Sequence, residues 1–376
     1  MSFRLVRSAA FASVLALTLM GCASLPRTPY TASEAAASHV LDIDGLRRYT
    51  DEPVSKFIPD KENPAVTETY LALSGGGADG AYGAGVLAGW TAAGTRPTFT
   101  IVSGVSTGAL IAPFAFLGPQ YDDTLREVYT SGIAETLLES PKIFQALFGS
   151  GLFGNARLRE LIARYVGPDM LAAVAREHTK GRQLLVVTTD LDTQRTAIWD
   201  MGKIAEIGSP EALNLFRDVM AASASIPLMF PPILIEAEAQ GRRFQEMHVD
   251  GGVTAPVLTL PDALLFQGHA LPRNRRLKIY ILVNNKIERD FAVVPDGTLD
   301  VASRSIGLIT KTQTRSIVFS TYEFARRNHV GFNLSYIEQD YPTSNSSGFD
   351  TAYMRALYQY GYEKAASGHA WTATPP

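Results

Sequence analysis

Cysteine is nearly missing from this chain: one, Cys22, in 376 residues. No disulfide can form within it. Charge is sparse as well, at 19% of residues with a formal net charge of −3. There is no basic stripe to bind nucleic acid and no acidic tail of the disordered, solvating kind. No segment repeats at a fixed period, which excludes solenoid and propeller architectures. The longest N-terminal apolar run, 9–20, is too short to span a bilayer as a helix. What the chain does have is globular composition, 46% hydrophobic, and enough length for one large or two modest domains.

The first twenty-two residues have a secretory layout: a basic start (Arg4, Arg7), the apolar run, then Leu19-Met20-Gly21-Cys22. This resembles a bacterial lipoprotein signal, in which the cysteine is lipidated and becomes the mature N-terminus. The resemblance implies a signal peptide at 1–21 and an acylated Cys22. With Ala23 next rather than an aspartate, it implies outer-membrane anchoring, facing the periplasm. Acyl chains hold a protein at a membrane without a transmembrane helix. Residues 22–65 read as the lipidated N-terminus and a tether rich in Ala, Ser, Thr and Pro, with a short helix near 34–46. The compact domain is expected over 66–376.

From there strands and helices alternate. Strands are expected at 69–74, 98–103, 183–190, 244–250, 277–284 and 331–338. Helices are expected at 79–93, 107–117, within 124–178, and at 213–224, 301–327 and 350–366. Such alternation predicts an α/β fold with three α/β/α layers and a mostly parallel central sheet.

The stretch LALSGGGADGAYGAGVL (71–87) joins a strand to a helix through glycines, and such a joint aims backbone N–H groups at negative charge. Gly75, Gly77 and Gly80 satisfy the dinucleotide fingerprint G-x-G-x-x-G. Its second requirement, an acid at the end of the next strand, is missing, and Gly-Lys-Ser/Thr for a nucleoside triphosphate is missing too. A tight turn without ligand and a cradle for a transient oxyanion remain. The next strand ends in Gly104-Val105-Ser106-Thr107-Gly108, a G-x-S-x-G signature. It presents a serine hydroxyl at a sharp strand-to-helix turn, before the positive end of a helix. The two joints share one edge of a parallel sheet, where one supplies a nucleophile and the other donors for a tetrahedral intermediate.

A serine nucleophile needs a base. Met247-His248-Val249-Asp250-Gly251-Gly252 places Asp250 at a strand end, where an ordinary Asp-Gly turn is the other reading. A free aspartate is a weak base and must be desolvated beside the hydroxyl to serve. Among the histidines, His269 in FQGHALPRN is the alternative.

These blocks, in this order, resemble the patatin-like phospholipase family: G-G-G-x-x-G at 75–80, G-x-S-x-G at 104–108, D-G-A/G at 250–252. A fourth family block, A-S-x-S-x-P-x-x-F-x-P, matches 222–232, and Thr189-Asp190-Leu191 resembles a family strand. The motif-bearing part runs over about 70–285. The resemblance implies a Ser106–Asp250 dyad without histidine and an oxyanion hole of the Gly75, Gly76 and Gly77 N–H groups. It implies hydrolysis of lipid acyl esters with no metal and no cofactor. Gly80, Gly104, Gly108, Gly251 and Gly252 are its motif glycines. An apolar pocket is needed for the acyl chain, and 143–153 (IFQALFGSGLF) is a candidate lining or lid, or plain core. The chain departs from the family at Asp79, where Arg or Lys is usual; Asp79 is expected to cap the following helix. Acyl transfer to an acceptor other than water, an esterase on a non-phospholipid substrate, and a non-catalytic lipid-binding protein are the competing readings.

Overall fold

The computed structural model describes residues 27–57, 67–138, 154–266, 276–342 and 348–376. Among the described residues nine strands make one sheet: β1 (Arg47–Tyr49), β2 (Thr67–Leu73), β3 (Ile101–Val105), β4 (Gln183–Asp190), β5 (Arg195–Asp200), β6 (Ile233–Ala239), β7 (Arg242–Asp250), β8 (Arg276–Val283) and β9 (Gly331–Tyr336). The spatial order is β1-β5-β4-β3-β2-β8-β9, with β7 pairing both β4 and β6. The run β4-β3-β2-β8-β9 is parallel throughout. The antiparallel pairs all lie toward one side: β1 with β5, β5 and β7 with β4, and β6 with β7.

Residues alternate between two cores, as a strand covered on both faces requires. Leu71 and Leu73 of β2 enter one core with the helices Gly80–Ala92, Thr107–Leu117 and Thr351–Ala366. Tyr70 and Ala72 enter the other, beneath the helix Thr298–Asn328. This is the three-layer α/β/α architecture expected from the alternation. The small residues of the helix Gly80–Ala92 have a packing cause. A Cβ at Gly85 or Gly89 would sit 2.0 or 2.1 Å from the carbonyl oxygens of Tyr358 and Tyr362, so the two helices touch backbone to backbone. That contact anchors the glycine loop from behind.

Several elements depart from the sequence expectation, among them β5 and the helix Met201–Ile207, which it did not foresee. Residues 27–57, read as tether, pack on the body: β1 pairs β5, and Arg27 is held by the Asp192 carboxylate and the Gln245 carbonyl. These contacts are long-range and leave no local pattern in a polar stretch. The short helix there is Ala32–Ala36, closed by a capping box between Thr31 and Glu34. The hairpin β6–β7 turns at Gln240 and Gly241, both at positive φ. Gln-Gly is a readable turn signal, and β6 shows strict burial alternation. No helix among the described residues is long and apolar enough to cross a membrane.

Candidate active site

The site forms where β2, β3 and β7 end. β3 runs into Ser106, whose φ of 55° and ψ of −124° are the strained turn that G-x-S-x-G predicts. Close approach explains the second motif glycine: a Cβ at Gly108 would lie 2.5 Å from the Leu73 oxygen and 2.7 Å from the Ser74 oxygen. Glycine at 108 therefore brings the nucleophile turn against the glycine loop. Ser106 is 5% exposed and precedes the helix Thr107–Leu117.

Asp250 meets it across the sheet. β7 pairs β4 through Thr188 and Asp250, which places the aspartate beside the end of β3. Ser106 and Asp250 line the same cleft, and the Gly252 N–H donates to Asp250 Oδ1 at 2.7 Å. Asp250 is 5% exposed. Burial pushes its pKa up to about 6, against the lowering effect of the neighbouring Ser106 side chain and the Gly252 N–H.

The 222–232 block holds both partners from beneath. The Ser223 hydroxyl accepts from the Ser106 N–H at 3.0 Å and donates to the Val187 carbonyl at 2.6 Å. The Ser225 carbonyl accepts the Asp250 N–H at 3.0 Å. Asn284, just past β8, is a residue the sequence reading missed. Its N–H and side-chain amide bind Ser74 Oγ and the Ser74 carbonyl at 2.8 and 2.9 Å, fixing the start of the glycine loop. The signal was present in the sequence: polar Asn284-Asn285 ends an apolar strand at the same sheet edge.

The oxyanion donors need one correction. The Gly75 N–H is engaged by the Pro256 carbonyl at 3.0 Å, which withdraws it from that role. The N–H groups of Gly76 and Gly77 have no hydrogen-bond partner among the described residues, and both glycines line the cleft above Ser106. That cleft has a volume of about 270 Å³. Lys286, Thr310 and Lys311 are among its polar lining, and Ile226, Pro227 and Val253 among its apolar lining. A narrow apolar channel of about 40 Å³ meets it at Ser106 and Gly77, lined by Leu110, Val128, Leu137, Leu158 and Phe230. The stretch 143–153, expected as lining or lid, lies outside the described residues, as does His269. No described histidine lines the cleft. His248 is fully buried, with Nδ1 on Thr188 Oγ1 at 2.9 Å and Nε2 3.5 Å from Glu246.

Asp79 does not cap the helix as expected: its side chain makes no capping bond. It does not line the cleft either, and accepts instead from the Tyr353 hydroxyl at 2.8 Å. Tyr353 lies 274 residues away, which is why the sequence could not show this partner. Burial raises the Asp79 pKa to about 6, opposed by Tyr353 and more weakly by Lys286 and Lys311. The carboxylate thus leaves the oxyanion site unopposed. Tyr353→Phe should destabilise the fold by about 1–3 kcal/mol at pH 7.5, where Asp79 is ionised, and by less at pH 5. Denaturant unfolding at the two pH values measures it, and equal losses would contradict it.

A strained, buried serine and a desolvated carboxylate line one cleft with two glycine N–H groups that have no partner among the described residues, an arrangement chemically suited to acyl transfer. The family model of patatin-like phospholipases matches residues 71–261, and the chain belongs to that family. Membership implies lipid acyl hydrolase chemistry. No curated protein matches the chain. Among solved structures it is similar to VipD from Legionella pneumophila, at 14% identity and a TM-score of 0.39, covering 81% of this chain and 67% of that one.

Proposed function

We propose that this chain is a serine hydrolase of lipid acyl esters at the bacterial envelope, working through a Ser106–Asp250 dyad. Ser106 Oγ attacks the ester carbonyl carbon while its proton passes to Asp250. The carbonyl oxygen becomes an oxyanion that accepts from the Gly76 and Gly77 N–H groups, with the Thr107–Leu117 helix dipole adding to its stabilisation. Collapse expels the alcohol, which takes the proton from Asp250 and leaves an acyl-serine. Water then attacks with Asp250 as base, and the acid departs as Ser106 regains its proton. The apolar channel suits an acyl chain and the polar lining of the cleft a headgroup.

The observation that carries this reading is the strained Ser106 turn and the buried Asp250 at the ends of β3 and β7, both lining one cleft, with burial raising the Asp250 pKa to about 6. A carboxylate desolvated in this way is a stronger base than a free one, yet stays ionised at neutral pH. The lipoprotein-type signal supports placement at the envelope, anchored through Cys22, with residues 27–57 packed as part of the domain rather than serving as a free tether.

The test is the pH profile of kcat/KM on a short-chain acyl ester. The base must be deprotonated, so activity should climb about tenfold per pH unit up to about pH 6 and then level off. A limb set near pH 7 that vanishes in His269→Ala would return the base to a histidine.

A further inference from the structure

The helix Thr298–Asn328 links β8 to the parallel strand β9, so it begins at the sheet edge that carries Ser106. Its 31 residues span about 46 Å at 1.5 Å each. The eight residues of β8 span about 26 Å. The helix therefore overhangs the catalytic edge. Its lower half is anchored by Thr314, Val318, Thr321 and Phe324, all buried, while no described side chain between 298 and 313 is. One flank of the overhang supplies Ile306, Thr310 and Lys311 to the cleft.

The exposed apolar side chains concentrate here. Of the eleven large hydrophobic residues exposed among the described residues, six lie within 291–309: Phe291, Val293, Val294, Val301, Leu308 and Ile309. Phe291 is 93% exposed and Val293 84%. Scattered exposed hydrophobics need no explanation, but a group concentrated in one segment beside a cleft, with Asp290 tied to Arg304 and Lys311 of the helix, points to a docking surface. Charge does not define its occupant. Arg289, Arg304, Lys311 and Arg315 are balanced by Glu288, Asp290, Asp296 and Asp300, and Arg304 and Lys311 both pair with Asp290.

The N-terminus points to the same side. Arg27 is fixed to Asp192, two residues beyond the carboxyl end of β4. Only residues 23–26 separate it from Cys22, a reach of at most about 18 Å. A lipid on Cys22 would hold this edge close to a bilayer.

We propose that the 291–309 overhang is a membrane-docking surface. Its apolar side chains enter the lipid interface and seat the mouth of the Ser106 cleft on the bilayer, so that an acyl lipid enters without crossing water. This rests on reading the cleft as a lipid site, but its test reads binding rather than turnover. In the full chain with Cys22→Ser, Leu308→Cys provides a single labelling address for an environment-sensitive fluorophore, and Glu323→Cys on the anchored half provides the control. With zwitterionic phosphatidylcholine vesicles, the label at 308 should blue-shift and be quenched by nitroxide lipids, in 0.5 M salt as in low salt, while the label at 323 should do neither. Leu308→Asp with Ile309→Asp should lower vesicle partitioning at least tenfold and keep hydrolysis of a soluble short-chain ester within twofold. Lack of turnover by the Cys22→Ser parent would count against the hydrolase reading alone, since the vesicle results stand without it. Equal responses at 308 and 323, unchanged partitioning, or a wild-type dimer that the double variant dissolves would overturn the proposal.

Discussion

Ser106→Ala and Asp250→Asn should each reduce acyl-ester turnover by about 10,000-fold or more, because nucleophile and base act as a unit and neither has a substitute. Alanine removes the attacking oxygen. Asparagine keeps the shape and the acceptor for the Gly252 N–H but cannot take a proton. The second variant carries an opposite effect on stability. Asp250 has an ordinary value of 3.8 and is raised to about 6 by burial. Below about pH 4 the carboxyl is neutral, folded or unfolded. Between about 4 and 6 the folded chain binds more protons than the unfolded one, so stability falls as pH rises. Above about 6 the full cost of an ionised buried group is present, on the order of 3 kcal/mol. The neutral amide is free of that cost. Asp250→Asn should therefore be the more stable protein at pH 7.5, by about 1–3 kcal/mol, and lose that advantage near pH 4. Denaturant unfolding beside steady-state kinetics reads both effects. A variant that is inactive and also destabilised at pH 7.5 would make Asp250 a structural residue.

The second large effect belongs to Gly108→Val. The new Cβ would meet two backbone oxygens, of Leu73 and Ser74, at 2.5 and 2.7 Å. Neither can rotate away as a side chain would, because Leu73 pairs within the parallel sheet and Ser74 is fixed by Asn284. The clash opens the gap between nucleophile and glycine loop. Stability should drop by about 3 kcal/mol, the upper range for overpacking. Hydrolysis should fall at least a hundredfold, since displacing reacting groups by about 1 Å costs that much. Gly307→Ala is the contrast: an added Cβ there meets open space in a helix, and the change should be neutral or gain up to about 1 kcal/mol. Thermal unfolding of the pair measures the difference.

These residues also show what a single sequence can reveal. The strand–glycine–helix joints at 75–80 and 104–108 are local chemistry, legible because steric demand writes glycine and serine at fixed spacing. The helix Thr107–Leu117 and the strand Gln183–Asp190 stand at their expected bounds, the helix because it follows the second joint and the strand because its apolar, β-branched run is local. What was not legible is long-range. The donor status of Gly75 is decided by Pro256, and the environment of Asp79 by Tyr353. The place of 27–57 is decided by strand β5 and by Asp192. The 222–232 block was recognisable only by resemblance, since the partners of Ser223 and Ser225 lie on three other segments.

The dyad is tested most directly by labelling with a serine-reactive phosphonate, read by intact-protein and peptide mass spectrometry. One adduct is expected, on Ser106, absent in Ser106→Ala and formed far more slowly in Asp250→Asn. No adduct on the wild-type protein, or an adduct that persists in Ser106→Ala, would contradict a Ser106 nucleophile activated by Asp250.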